Sequence, residues 1–433
     1  MNNTNNLNNK KIELLAPAGD LEKLKVAVLF GADAVYLGGN AFGLRAKAKN
    51  FSIPEMAQGV EFAHSHNAKV YVTCNIFAHN IDISNERLEQ YLLELQEINV
   101  DGVIVADPGV FSIVREVVPN MEIHISTQSN TTNYQTAKFW KSLGASRVVM
   151  AREMSFYEIK TLSEKAPDIE IEAFVHGAMC MAYSGRCLLS NYLTNRDANR
   201  GACAQSCRWK YKLVEETRPN EHFPIEEDER GTYIFNSKDL CMIDYVPDLI
   251  DSGIYSFKIE GRIKTAYYVG AVVKAYREAI DDYLKDPELY NSKKEYYLEE
   301  LKKSSYRGYT TGFFLGKPDS ESQIYTSNSY VRMYDFSGIV LEYDPTTSIA
   351  IIEQRNKFVK GEEVEFLTIK DPMTGESREN FKQVVTEMYD EDGNPLEEAP
   401  HPQQIIKLKV DKPVVPFDMM RKESDNPIYP EDI

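Results

Sequence analysis

Eight short apolar runs, each followed by a helical or loop segment, occupy residues 11–285. They are 13–18 (ELLAPA), 34–38 (AVYLG), 69–77 (KVYVTCNIF), 102–106 (GVIVA), 122–128 (EIHISTQ), 147–151 (RVVMA), 170–176 (EIEAFVH) and 256–260 (SFKIE). These runs are rich in Val and Ile and nearly unbroken in hydrophobicity, as strands covered on both faces must be. Helical patterns lie between them at 20–30, 54–66, 85–98 and 133–143, and two more follow at 239–252 and 264–284. Asp20 and Ser52 stand where helix N-caps belong. Repetition of strand, helix and strand implies parallel pairing, because each crossover helix carries the chain back to the same end of the sheet. Eight such units fit an α/β fold of the closed (β/α)8 TIM-like type, which takes ~250 residues. An open, doubly wound sheet is the alternative.

Polar residues gather where these runs end: Asn75 and His79, Asp107, Gln128 and Asn130, Arg152 and Glu153, His176, and Glu260 with Arg262. Singly, each reads as a cap or loop residue. Together they mark the face of a barrel on which strand ends converge. About 80 residues separate the seventh run from the eighth, far beyond an ordinary connection. That excursion is expected to be an insertion over the same face, with an added strand at 232–236. The expected organisation is a disordered lead over 1–10, a barrel over 11–285 containing a cysteine loop at 180–235, a connecting segment over 286–330, and a small antiparallel β domain over 331–433. The last assignment rests on a change to period-two patterning, as in SIAIIEQ and QQIIKLKV.

The loop holds four of the six cysteines, Cys180, Cys187, Cys203 and Cys207, spaced C-x6-C-x15-C-x3-C. No apolar run is long enough to span a membrane, and the Asn-rich start lacks the apolar core of a signal peptide. A cytoplasmic location is therefore expected, where clustered thiols favour metal or redox chemistry over disulfides. Zinc sites usually bring paired C-x2-C knuckles, and none occurs here. A [4Fe–4S] cluster tolerates looser spacing. Cluster, zinc and unliganded redox thiols all remain open, in that order of preference. Cys74 lies in an apolar run and reads as a small buried residue. Cys241 lies in a helical pattern and reads likewise, with a secondary role as a reserve ligand. The formal net charge of the chain is −17, yet residues 186–212 carry six basic side chains and one acid, Asp197. This basic island is either a solvated face or a site for an anionic partner.

Several stretches resemble the peptidase U32 family, the collagenase-like proteins. They are EAFVHGAMCMAYSGRCLLS (172–190), LLAPAG (14–19), GADAVYLGG (31–39), NRGACAQSCRWKY (199–211), NSKDLC (236–241), SFKIEGR (256–262) and VVPFDMMRK (414–422). The long form with a C-terminal β domain most resembles the branch that hydroxylates tRNA. This resemblance implies a (β/α)8 barrel and a [4Fe–4S] cluster held by Cys180, Cys187, Cys203 and Cys207, with Cys241 as the alternative fourth ligand. It also implies 5-hydroxyuridine formation at the wobble position of tRNA, with prephenate as co-substrate and without molecular oxygen.

On that reading, anticodon-loop phosphates meet Arg196, Arg200, Arg208 and Lys210. Trp209, Tyr192 and Tyr211 offer stacking surfaces, although Trp209 serves equally as a packing anchor. Arg45, Arg152, Lys258 and Arg262 are the candidate cations for a small dicarboxylate, and arginine is favoured because it pairs carboxylates bidentately. His176 and Glu260 are the candidate catalytic pair, since an imidazole titrates near neutrality. A structural role for His176 fits as well. Two other functions stand beside this one: a collagenase-like peptidase, and a non-catalytic RNA- or partner-binding protein with a structural cluster. Neither an H-E-x-x-H nor a G-x-S-x-G motif supports the first.

Overall fold

The computed structural model describes residues 11–39, 50–83, 87–180, 183, 187–196, 198, 202–209, 213–215, 218–223, 236–318, 323–324 and 330–430. All eight apolar runs form strands: β1 (Glu13–Pro17), β2 (Ala34–Leu37), β3 (Lys69–Cys74), β4 (Gly102–Val105), β5 (Glu122–Ile125), β6 (Arg147–Val149), β7 (Glu170–Ala178) and β8 (Ser256–Ile259). Each pairs in parallel with the next, and Ser256 of β8 pairs both Glu172 of β7 and Glu13 of β1. The sheet therefore closes into a (β/α)8 barrel, and the open-sheet alternative falls.

Its helices begin as their sequences dictate. Asp20 caps α1 (Leu21–Leu29) by accepting from Lys23 N at 3.0 Å. Ser52 and Glu55 form a reciprocal capping box at the start of α2 (Ile53–Ser65). Helices α3 (Arg87–Glu97), α4 (Pro108–Val117), α5 (Tyr134–Ser142) and α6 (Phe156–Lys165) follow in turn. Asp107, one of the strand-end polar residues, is the N-cap of α4. The apolar faces of these helices and the outward faces of the strands share one large core.

Strand parity fills the barrel interior. Leu15, Ala34, Tyr36, Tyr71 and Ile104 form a separate apolar layer within it. At the N-terminal end, the fully buried Arg147 meets Glu13 Oε1 at 2.5 Å, Glu172 Oε2 at 3.1 Å and Glu170 Oε2 at 2.8 Å. Tyr71 and Ser256 hydroxyls donate to the Glu13 carboxylate at 2.8 and 2.7 Å. This end is thus a closed polar plug.

The insertion differs from expectation in two places. Residues 239–252 are not one helix. Asp239–Cys241 is a strand antiparallel to the C-terminal overhang of β7, Ile243–Tyr245 is a 3-10 turn, and the α-helix is confined to Val246–Asp251, here α7. Within the expected strand 232–236, all but Asn236 lies outside the described residues. The connecting segment likewise contains a helix that the sequence reading missed. This α9 (Pro287–Lys302) packs beside α8 (Ala266–Lys285) and buries Tyr290 and Tyr297.

After Tyr330 the chain forms a seven-stranded antiparallel sheet with its own core, including Phe358, Phe366, Ile406 and Met420. Alternating burial along Ile349–Gln354 matches the period-two pattern. The sheet docks on α8 and α9. Lys274 Nζ donates to the Thr368 carbonyl at 2.6 Å, and buried Arg421 pairs Glu300 at 2.7 Å. No described helix is long and apolar enough to cross a membrane.

Candidate functional site

A cavity of about 240 Å³ opens at the C-terminal ends of the barrel strands. Three groups of side chains enclose it. Thr73 near the end of β3 and Asn75 just beyond that strand, with Ser126, Thr127 and Gln128 beyond β5, form an uncharged polar wall. Arg152 beyond β6, with Lys258, Glu260, Arg262 and Lys264 from β8 and its end, form a charged wall. Cys180, Cys187, Cys203 and Cys207 complete the lining from the insertion.

Arg152 links these parts. Its guanidinium lies 3.8 Å from the Phe174 ring centroid, 3.8 Å from Cys180 Sγ and 3.9 Å from Glu260 Oε2. Arg262 donates to Asn50 Oδ1 at 3.1 Å and reaches Thr73 Oγ1 at 3.5 Å. Its Nη2 lies 2.2 Å from where a Cβ on Gly38 would sit, so only glycine at 38 admits this arginine. Gly177 on β7 has φ +104°, and a Cβ there would meet the Glu260 carbonyl oxygen at 2.5 Å. These two glycines let the charged wall close against β2 and β7.

The cysteine loop has its own fastenings. Ser190 Oγ donates to the Arg196 carbonyl at 2.7 Å and accepts from Ala204 N at 2.9 Å. Arg196 Nη2 donates to the Cys203 carbonyl at 3.0 Å, and Gln205 N donates to Cys203 Sγ at 3.3 Å. None of the four loop cysteines is in a disulfide. A backbone N–H on one sulfur and a guanidinium near another are contacts suited to anionic sulfur. In donor chemistry the set fits a four-cysteine group. Among the described residues, however, no three His, Cys, Asp or Glu side chains are grouped to hold a metal ion. The corners of an iron–sulfur cube stand farther apart than the ligands of one ion.

Residues 19–324 match peptidase family U32, and residues 332–421 match the peptidase family U32 C-terminal domain. The chain belongs to peptidase family U32. It is 50% identical to tRNA hydroxylation protein P1 of Bacillus subtilis, over 95% of each chain. It is 37% identical to tRNA hydroxylation protein P of Escherichia coli, over 83% of this chain and 86% of that one. A 23S rRNA 5-hydroxycytidine synthase of Escherichia coli is 38% identical over 63% of this chain and 39% of its own length.

The U32 barrel does not bring every candidate residue to the cavity. His176 is 2% exposed and lies behind it, ringed by Tyr268, Tyr276 and Tyr309. Burial, aided by the Lys264 charge, lowers its pKa to about 3, so it is neutral at physiological pH. It is a packed structural histidine there, not a proton donor to the cavity. Cys241 is buried in its strand, where burial pushes the thiol up to about 12, and it is not among the cavity-lining residues. This placement argues against its role as a reserve ligand. Lys258 lines the cavity but is committed inward: its Nζ lies 2.6 Å from Glu172 Oε1 and 4.4 Å from the Tyr36 ring centroid. Burial alone raises the Glu172 carboxyl, but Lys258 and Arg147 outweigh it and hold its pKa low. Lys258 is therefore part of the internal charge network and a poor second cation for a dicarboxylate.

Of the RNA candidates, Trp209 is 45% exposed and Tyr192 is 86% exposed, so neither is a core residue. Arg196 is occupied at least partly in fastening the loop. Arg45, Arg200, Lys210 and Tyr211 lie outside the described residues, as does the side chain of Arg208. Sequence reasoning missed Lys264 and Tyr330, both on the cavity, with Lys264 Nζ 4.1 Å from the Tyr330 ring centroid. Lys264 lies two residues beyond Arg262 in the same strand-end segment, which was a usable signal. Tyr330 arrives from the far end of the connector and carried none.

Proposed function

We propose that this U32 chain hydroxylates tRNA, converting the wobble uridine of the anticodon loop to 5-hydroxyuridine. The observation that carries the reading is the convergence of four loop cysteines, none in a disulfide, and the Arg152–Glu260–Arg262 wall on one barrel-mouth cavity. The names of the tRNA hydroxylation relatives supply the reaction class. An anticodon base is already unpaired and can enter such a cavity without melting a helix. Exposed Tyr192 and Trp209 on the cysteine loop suit a single-stranded RNA loop.

Cys180, Cys187, Cys203 and Cys207 would hold a [4Fe–4S] cluster, and the cluster when bound would supply redox chemistry beside the base. Arg152 and Arg262 would bind a dicarboxylate oxygen donor, with prephenate as the one implied by family resemblance. The protein's own work is to orient both ligands and keep their charges compensated.

The test is nucleoside mass spectrometry of tRNA from a strain lacking the protein, complemented with wild type or with Cys180→Ala or Cys203→Ala. Restoration of 5-hydroxyuridine by wild type alone is the expected result. Unmodified tRNA with wild type present overturns the function. Iron and sulfide analysis after anaerobic purification tests the cluster separately, and stoichiometric zinc without sulfide would remove it.

A further inference from the structure

The two walls of the cavity differ in charge, and the uncharged one is organised as a hydrogen-bond relay. Asn75 Nδ2 donates to Ser126 Oγ at 3.4 Å, and Ser126 Oγ donates to Gln128 Oε1 at 3.3 Å. Gln128 N also donates to Ser126 Oγ at 3.4 Å. The backbone fixes this geometry: Thr127–Ser129 is one 3-10 turn after β5, closed by Asn130 at φ 51°. Asparagine is among the few side chains that adopt such a left-handed conformation readily.

The relay has a direction. With the Gln128 carbonyl oxygen occupied by the Ser126 hydroxyl, the Gln128 amide nitrogen is left as the outward group. Gln128 is 4% exposed and lines the cavity, and no described acceptor takes its Nε2 protons. At the other end, Asn75 Oδ1 is buried without a protein partner. An amide donor that lines an open cavity is available to a ligand acceptor, and a buried acceptor such as Asn75 Oδ1 is costly to leave unpaired. A carboxylate belongs on the cationic wall. A neutral carbonyl belongs here.

We infer that Gln128, oriented by Ser126 and Asn75, is the specificity-determining residue that donates to the C4 carbonyl of the target base and so selects uracil over cytosine. This rests on the tRNA-hydroxylase reading. C4 adjoins C5, so a group that holds O4 also fixes the carbon to be hydroxylated. Cytosine carries an amino group at that position, which would set donor against donor.

The experiment measures equilibrium binding of two anticodon stem–loop RNAs that differ only in U or C at the wobble position. Wild type is expected to favour U roughly 10- to 100-fold, the range set by one or two directional base contacts. Gln128→Leu should abolish that preference, and Gln128→Glu, which only accepts, should shift it toward C. Ser126→Ala is the milder variant: it unlocks the relay with little volume change and should shrink the preference. Thermal unfolding and thiol titration confirm that each variant is folded. Equal binding of U and C by wild type overturns the inference alone, as does an unchanged preference in folded Gln128→Leu or Ser126→Ala. Failure of wild type to bind either RNA overturns the inference and the proposed function together.

Discussion

The two ends of the barrel use their charged side chains in opposite ways. At the N-terminal end, Arg147 is shared by Glu13, Glu170 and Glu172, and Tyr71 and Ser256 hydroxyls fill the remaining positions on Glu13. At the mouth, Arg152 lies 3.9 Å from Glu260 Oε2, and Arg262 meets the Asn50 amide and, on the cavity side, the Thr73 hydroxyl. A buried charge compensated by several short contacts holds a structure together but has little left for a ligand. Guanidinium groups that line a cavity keep a face on which an anion can bind. Lys258 sits between the two regimes and belongs to the first, because Glu172 has claimed it.

The largest expected effect breaks the closed end. Arg147→Met leaves Glu13 and Glu172 without their shared cation and should cost about 3–5 kcal/mol, the usual penalty for breaking a buried pair on one side. Urea unfolding checks it, and adding Glu13→Gln should recover part of the loss. Stability equal to wild type would erase the distinction between the ends. Next in size is Arg262→Lys at the mouth. It keeps the charge but loses the planar fork, so tRNA hydroxylation in cells should fall about 100-fold, or roughly 2.7 kcal/mol. Its unfolding midpoint should move far less than that of Arg147→Met. Full hydroxylation by Arg262→Lys and Arg262→Ala alike would remove Arg262 from the site.

The same contrast explains what could be read from the sequence. The strands were legible because burial on both faces leaves continuous Val- and Ile-rich runs, a local signal. The cysteines were legible because their crowding in one insertion is also local. Helix α9 was not: its buried face is carried by Tyr290, Tyr297 and Leu301 within a charged segment, so tyrosine masked the periodicity. The strand at Asp239–Cys241 exists because β7 runs past the barrel rim and needs an edge partner, which is a non-local cause. Lys258 and Glu172 meet across β7 and β8 only in the closed barrel. Neither residue announces the other in the sequence.

His176 sharpens the comparison from behind the mouth. Its pKa is about 3 in the folded protein, while the unfolded chain takes up a proton near 6.5. The unfolded state therefore binds more protons throughout that window, and stability falls as pH drops through it. Going from pH 7 to pH 5, wild type should lose about 2 kcal/mol through this group. A His176→Asn variant should lose correspondingly less over the same interval, although its absolute stability is lower. Urea unfolding of both proteins at the two pH values is the measurement. Equal losses would mean that His176 is protonated in the fold, and would return it to the list of cavity acids.

Trp209 gives the smallest effect on stability and the cleanest separation of folding from binding. Trp209 is 45% exposed on the cysteine loop, and its backbone N–H donates to the Ser206 carbonyl at 3.1 Å. An exposed surface truncation changes stability by no more than about 0.5 kcal/mol. Trp209→Ala should therefore leave the urea midpoint nearly unchanged. If the ring stacks on an anticodon-loop base, the same substitution weakens stem–loop binding by about 1–3 kcal/mol. Stacking is largely sequence-tolerant, since every base has a π-face, so the loss should be similar for U and C RNAs. Gln128 acts on the ratio between the two RNAs, whereas Trp209 acts on both together. A Trp209→Ala protein that binds RNA normally but unfolds more easily would make this ring a packing anchor after all, and would move the RNA-binding surface elsewhere on the mouth.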